Sequence, residues 1–200
     1  MSRIYVEYQD REDAEGKGVS EAIEDYDGNL HLLMRYSYER TGFDSAAGEE
    51  GIITITGIEF TDLYFYDYGN RTAEIPETIS CKPAWSKEFI SSPVTAIAPY
   101  ASNHSPNDNY LWEVTLPKTL QTVGKAAFAD CDMDCVTIPA SVTEIGEYAF
   151  GYIRVLDKRG EDGAEIGFEK IDDFVISCYP STAGEKYAKD NGFEYKLLTD

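Results

Sequence analysis

Val114-Thr-Leu-Pro-Lys-Thr-Leu-Gln-Thr-Val-Gly-Lys-Ala-Ala-Phe128 can be laid over Val136-Thr-Ile-Pro-Ala-Ser-Val-Thr-Glu-Ile-Gly-Glu-Tyr-Ala-Phe150, each position displaced by 22 (114 to 136). Val114/Val136, Thr115/Thr137, Pro117/Pro139, Gly124/Gly146, Ala127/Ala149 and Phe128/Phe150 are identical, and Leu116/Ile138, Leu120/Val142 and Val123/Ile145 stay apolar. Repetition at this period marks a stack of short units, none of which can bury its own apolar side without neighbours. Val114 and Leu116 alternate with Thr115, the pattern of a strand with one buried face. Pro117 cannot continue a hydrogen-bonded ladder and closes that strand. Val123 followed by Gly124 gives a second, shorter strand ending where the backbone needs freedom. Phe128 and Phe150 would then form an aromatic spine.

Fainter copies stand upstream. Glu74-Ile-Pro-Glu-Thr-Ile79 matches the first half, with Ile75 at the Leu116 position. Pro93-Val-Thr-Ala-Ile-Ala-Pro-Tyr-Ala101 matches the second half, with Ile97 at the Val123 position. The extra residues between them surround Ala84-Trp-Ser-Lys-Glu-Phe-Ile90 and are expected to emerge as a loop. Downstream, Asp157 to Gly163 is polar enough for an exposed loop. Phe174 to Tyr179 is expected to be a strand and Ser181 to N-cap a helix that stops at Asn191-Gly192. Phe193 to Leu198 should return as a strand. Such an element would cover the open edge of the last unit.

These phrases, with the tail from Ile171 to Phe193, closely resemble BspA-like leucine-rich repeat proteins, and Gly51-Ile-Ile-Thr-Ile-Thr-Gly57 looks like that family's entry into its first coil. The likeness covers roughly residues 51–200. It implies a β-rich solenoid of the leucine-rich-repeat kind, built of short parallel strands, with a C-terminal strand-helix-strand cap from about residue 165. It also implies a secreted or surface-attached protein, of the sort found in anaerobic gut and rumen bacteria. The expected role is non-catalytic: adhesion or scaffolding by recognition of a protein partner, with carbohydrate binding as the alternative. Two departures stand out: the insertion near Trp85, and the long polar stretch from Asn103 to Asn109 after Ala101. Ser102 also stands where the family usually carries phenylalanine, which would distort the first coil.

Residues 1–50 are expected to be an N-terminal β cap or the end of a preceding module. Ile4 to Tyr8 alternates as a strand could, and Gln9 to Glu24 suggests a loop or short acidic helix. Asn29 to Tyr38 gives one strand or two, and Thr41 to Glu50 is a connection.

The chain holds 37 acidic and 17 basic side chains in 200 residues, a formal charge of -20. That excess repels phosphate backbones and anionic lipid, which argues against nucleic acid and membrane surfaces as partners. No apolar run suits a membrane span, and the start lacks the apolar stretch of a secretory signal. A cytoplasmic chain and a mature extracellular segment with a new initiator methionine both fit that start.

Catalytic, cofactor and metal sites are not expected. His31 and His104 are the only histidines, and no nucleophile elbow, metalloprotease, phosphate-loop or dinucleotide motif occurs. Cys131 and Cys135 have no second pair nearby to complete a zinc site, and nothing selects a pairing among Cys81, Cys131, Cys135 and Cys178. Asp13, Glu15, Gly18 and Glu24 fall near calcium-loop positions, but Lys17 and Ser20 stand where a ligand and an apolar residue belong. The binding candidates are aromatic: Tyr64, Tyr66 and Tyr68 on one face of a strand, with Trp85 and Trp112 in or near the irregular coil. Such rings bind sugars and proteins when exposed, and fill the core when not.

Overall fold

The computed structural model describes residues 6–13, 15–26, 29–44, 47, 49–60, 72–82, 88–104, 111–157 and 165–199. Among them the protein is β-rich with one α-helix. It opens as an antiparallel meander of β1 (Val6–Glu12), β2 (Lys17–Tyr26), β3 (Asn29–Asp44) and β4 (Glu49–Phe60). The segment from Gln9 to Glu24 is therefore a hairpin, not a loop or helix. Some of its charges pair across strands. Glu21 is directly opposite Arg35 in the register, and its carboxylate takes Arg35 at 2.7 Å and Arg11 at 2.5 Å. Likewise most of the expected connection from Thr41 to Glu50 belongs to β3 and β4, whose ladder runs out to Asp44 opposite Glu49.

From β4 the sheet changes character. β4 pairs in parallel with β7 (Ile90–Ile97), which pairs in parallel with β9 (Thr122–Val123), which pairs in parallel with β11 (Glu144–Ile145). One sheet thus runs β1-β2-β3-β4-β7-β9-β11. The expected insertion makes an antiparallel pair at this sheet, β6 (Thr78–Cys81) against β7, around residues 83–87, which lie outside the described set.

The first strand of each unit builds separate ladders. β5 (Thr72–Glu74) pairs in parallel with β8 (Glu113–Thr115), and beside β8 lies β10 (Cys135–Thr137), paired in parallel with β14 (Val175–Cys178) and that with β15 (Glu194–Leu197). These registers are the alignments read in the sequence. Glu144 faces Thr122, Ile97 faces Val123, and Ile75 donates its N–H to the Thr115 C=O, one step from the Leu116 position.

Between the two sets of ladders lies the core. Val114, Leu116, Leu120 and Val123, with Val136, Ile138 and Val142, are all buried. Phe128 and Phe150 stack with ring centroids 5.1 Å apart and planes 11° from parallel. The backbone repeats with the side chains. Ala126 N–H donates to the Glu147 C=O as Tyr100 N–H does to the Lys125 C=O, and Phe128 N–H donates to the Ala149 C=O as Ser102 N–H does to the Ala127 C=O. Tyr100, Ala126 and Tyr148 occupy equivalent left-handed positions, at φ 60, 50 and 59°. Ser102 is buried and keeps these hydrogen bonds, so the first unit is regular here despite lacking the phenylalanine.

After β11 comes a hairpin, β12 (Tyr152–Asp157) against β13 (Glu165–Lys170), where a polar excursion alone was expected; residues 158–164 lie outside the described set. The helix, α1 (Ala183–Asn191), is N-capped by Thr182, not Ser181. Ser181 sits at φ 61° in the preceding turn and its N–H donates to Glu185 Oε2, whereas extended Thr182 accepts from Glu185 N–H. Gly192 ends the helix at φ 65°, where the sequence places the stop.

Glycine at 146 is a matter of clearance, since a Cβ there would overlap the Lys125 backbone nitrogen and sit 2.7 Å from the Gly124 carbonyl carbon. Gly146→Ala should therefore force neighbouring units apart, lowering stability by about 1–3 kcal/mol in urea unfolding. An unchanged midpoint would mean that the units do not approach this closely.

Candidate binding surface

Alternation within the short strands decides what the molecule shows to solvent. On β8, Val114 points inward while Glu113 and Thr115 are exposed; on β10, Val136 points inward while Cys135 and Thr137 are exposed. Glu74 on β5 and Glu194 and Lys196 on β15 are exposed too, with Ser177 on β14 half-buried. The result is an outer strip of polar side chains, mostly acidic or small with Lys196 the exception, held on parallel strands.

Trp112 lies at the margin of this strip, immediately before β8, and is 43% exposed. It is the one aromatic binding candidate among the described residues; Tyr64, Tyr66, Tyr68 and Trp85 lie outside them. The backbones of His31 and His104 fall on β3 and on the 3-10 turn Ala101–His104, and their side chains are not among those described.

A polar cluster that sequence reasoning missed is closed inside the N-terminal sheet. Arg40 Nε donates to Glu12 Oε2 at 2.8 Å, and both side chains are almost wholly buried. Arg40 also donates to Ser92 Oγ and, at 3.5 Å, to the Ile90 C=O; Ser92 Oγ donates to the Glu50 C=O. Cys81 Sγ lies 3.3 Å from Glu12 Oε2. Burial pushes this thiol's pKa up, with Glu12 adding to the effect, so it is a poor nucleophile. The cluster fastens β1, β3, β6 and β7 together. Nothing in the 28-residue separation of Glu12 and Arg40 announces it, because the partners meet only once the sheet is folded.

Among the described residues no group of three or more His, Cys, Asp or Glu side chains is gathered as metal ligands would be, and no helix is long and apolar enough to cross a membrane. The residues that fall near calcium-loop positions are spread along a hairpin: Asp13 is at its tip, accepting from the N–H groups of Glu15 and Lys17, while Gly18 and Glu24 belong to β2.

Residues 84–158 match the family described as "BspA type Leucine rich repeat region (6 copies)". That stretch is a BspA-type repeat region. It takes in β7 to β12 and both phenylalanines of the stack, and it stops before the terminal helix. No curated protein and no solved structure matches the chain.

The thiols are divided by burial, Cys131 and Cys135 inside the matched stretch and Cys81 and Cys178 outside it. All four cysteines are free, with Cys81, Cys131 and Cys178 buried and Cys135 exposed on the outer strip. Burial pushes the Cys131 thiol up to about 12. A thiol reagent at neutral pH should therefore label Cys135 rapidly in the native protein and the other three only on unfolding. Rapid native labelling of Cys131, located by peptide mapping, would contradict the packing described.

Proposed function

We propose that this chain is a non-catalytic binding module of an extracellular or cell-surface protein, and that its repeats form a short solenoid whose outer strip recognises a protein partner. The observation that carries this reading is the strip itself. Glu113, Thr115, Cys135 and Thr137 face outward on neighbouring strands, with the exposed ring of Trp112 at their edge. Aromatic side chains at the margin of accessible polar surface are common anchors of protein interfaces. The BspA-type match supports a binding or surface role, and the net charge of -20 favours a basic partner surface.

On this reading residues 51–200 are the repeat module, capped from about 165, and residues 1–50 are a β cap on its first unit. Supporting the cap is the hydrogen-bonded continuity from β3 through β4 into β7. Tyr64, Tyr66, Tyr68 and Trp85 are assigned to the same binding role from their sequence pattern. Carbohydrate recognition is the second reading, favoured by the exposure of Trp112, since sugar rings stack on flat aromatic faces.

The test is a screen of the full chain against arrayed extracellular proteins and arrayed glycans. A protein ligand should emerge whose affinity falls at least roughly tenfold in a Thr115→Arg, Thr137→Arg double variant with an unchanged melting temperature. A ligand indifferent to those substitutions would displace the proposed face, and binding to glycans alone, lost in Trp112→Ala, would establish the second reading instead.

A further inference from the structure

The ladder of second strands ends in an open edge. Along it each unit serves the next: Gly124 N–H donates to the Ile97 C=O and Gly146 N–H to the Val123 C=O, both at 2.8 Å. Successive residues of a strand turn their backbone groups to opposite sides. Ile145, the counterpart of Val123, therefore turns its N–H and C=O to the outer edge of β11, where no described residue bonds them. The terminal helix completes the unit elsewhere. Phe150 N–H donates to Tyr187 Oη, which donates in turn to the Phe150 C=O, standing in for a following unit at that point. Between α1 and β11 it leaves a cleft of about 450 Å³, lined by Ile145, Gly146, Glu147 and Tyr148 on one side and Lys186 and Asp190 on the other.

We propose that this cleft takes an extended strand of a partner polypeptide, laid parallel to β11, in which a basic residue is followed by a β-branched aliphatic residue and then by glycine. Each part of that motif comes from the ladder already built. Ile97, Val123 and Ile145 form one aliphatic row, which the incoming strand would extend. The next residue passes so close to the unit beneath that a Cβ at Gly124 would overlap the Pro99 nitrogen, and one at Gly146 the Lys125 nitrogen. A strand in the same register above Gly146 and Glu147 meets the same restriction. Ala98 holds this position only in the first unit, whose neighbour is β4 and not another repeat. The basic residue falls beside Glu144, which is exposed and has no cationic partner among the described residues, whereas Glu147 has Lys125 and Asp190 has Lys186. The volume lies within the roughly 300–1,000 Å³ of ligand sites. Strand addition of this kind draws affinity from main-chain hydrogen bonds and selectivity from side-chain fit. The site deepens the proposed binding role on a surface separate from the outer strip, so either can fail without the other.

The experiment is fluorescence anisotropy of the full chain with a labelled synthetic peptide, Thr-Lys-Ile-Gly-Lys-Tyr. Saturable binding is expected, weakened at least roughly tenfold when the peptide glycine becomes alanine. A similar loss is expected in Ile145→Pro, which removes the outward N–H of an edge strand and spares the Gly146 donor. If Ile145→Pro unfolds the chain, the two peptides on the unaltered protein still decide. Equal affinity for the glycine and alanine peptides, or no saturation by about millimolar concentration, overturns the proposal. Concentration-dependent dimers dissolved by the peptide would seat a second copy in the cleft and overturn the assignment to a partner.

Discussion

Phe128 stacked on Phe150 is the contact around which the second half of this protein is arranged. A single 22-residue unit carries one short strand of three residues and another of two, far too little to bury a phenylalanine alone. Placing the next unit above it encloses both rings and aligns two hydrogen-bonded ladders at the same time. Each buried ring contributes about 1.5–3 kcal/mol through desolvation, and the stacked pair about 0.5–1.5 kcal/mol beyond that. The spine continues toward the terminal helix, where Tyr187 meets Phe150 edge-on and Phe193 meets Phe174 and Tyr152. Left-handed backbone at Tyr100, Ala126 and Tyr148 is tolerated because the turn it makes returns the chain to this stack.

A repeat that propagates by edge pairing has exposed edges, and the two ends treat theirs differently. At the N-terminal end the ladder is taken up by a four-stranded meander whose interior holds the Glu12–Arg40 pair. Burying two charges gives little net stability, but removing either partner would leave the other uncompensated where β1, β3 and β7 meet. At the C-terminal end the cover is partial. β14 and β15 extend one ladder past β10, while among the described residues the other stops at β11, with the helix and its tyrosine alongside.

The parts of this architecture legible in the sequence are those fixed by periodicity. The displacement of Val114 onto Val136 is the register in which β9 and β11 pair, and Ile75 and Ile97 take the ladder positions that their faint copies imply. The hairpin at Gln9 to Glu24 was not legible, because Glu21 suggests solvent until Arg11 and Arg35 arrive from flanking strands. Thr182 and Ser181 are equally good caps by residue type; only the left-handed turn at Ser181 separates them. The outer strip could be deduced from alternation, whereas the cleft beside β11 depends on where the helix docks, which no local pattern encodes.

The central claim is that equivalent residues of successive units are physical neighbours whose contact stabilises the fold. A double-mutant cycle on Phe128→Leu and Phe150→Leu in reversible urea unfolding tests it most directly. The account predicts a coupling energy of about 0.5–1.5 kcal/mol between the rings. Additivity within about 0.3 kcal/mol would mean the two phenylalanines do not share one interior, and the stacked arrangement would fall with them.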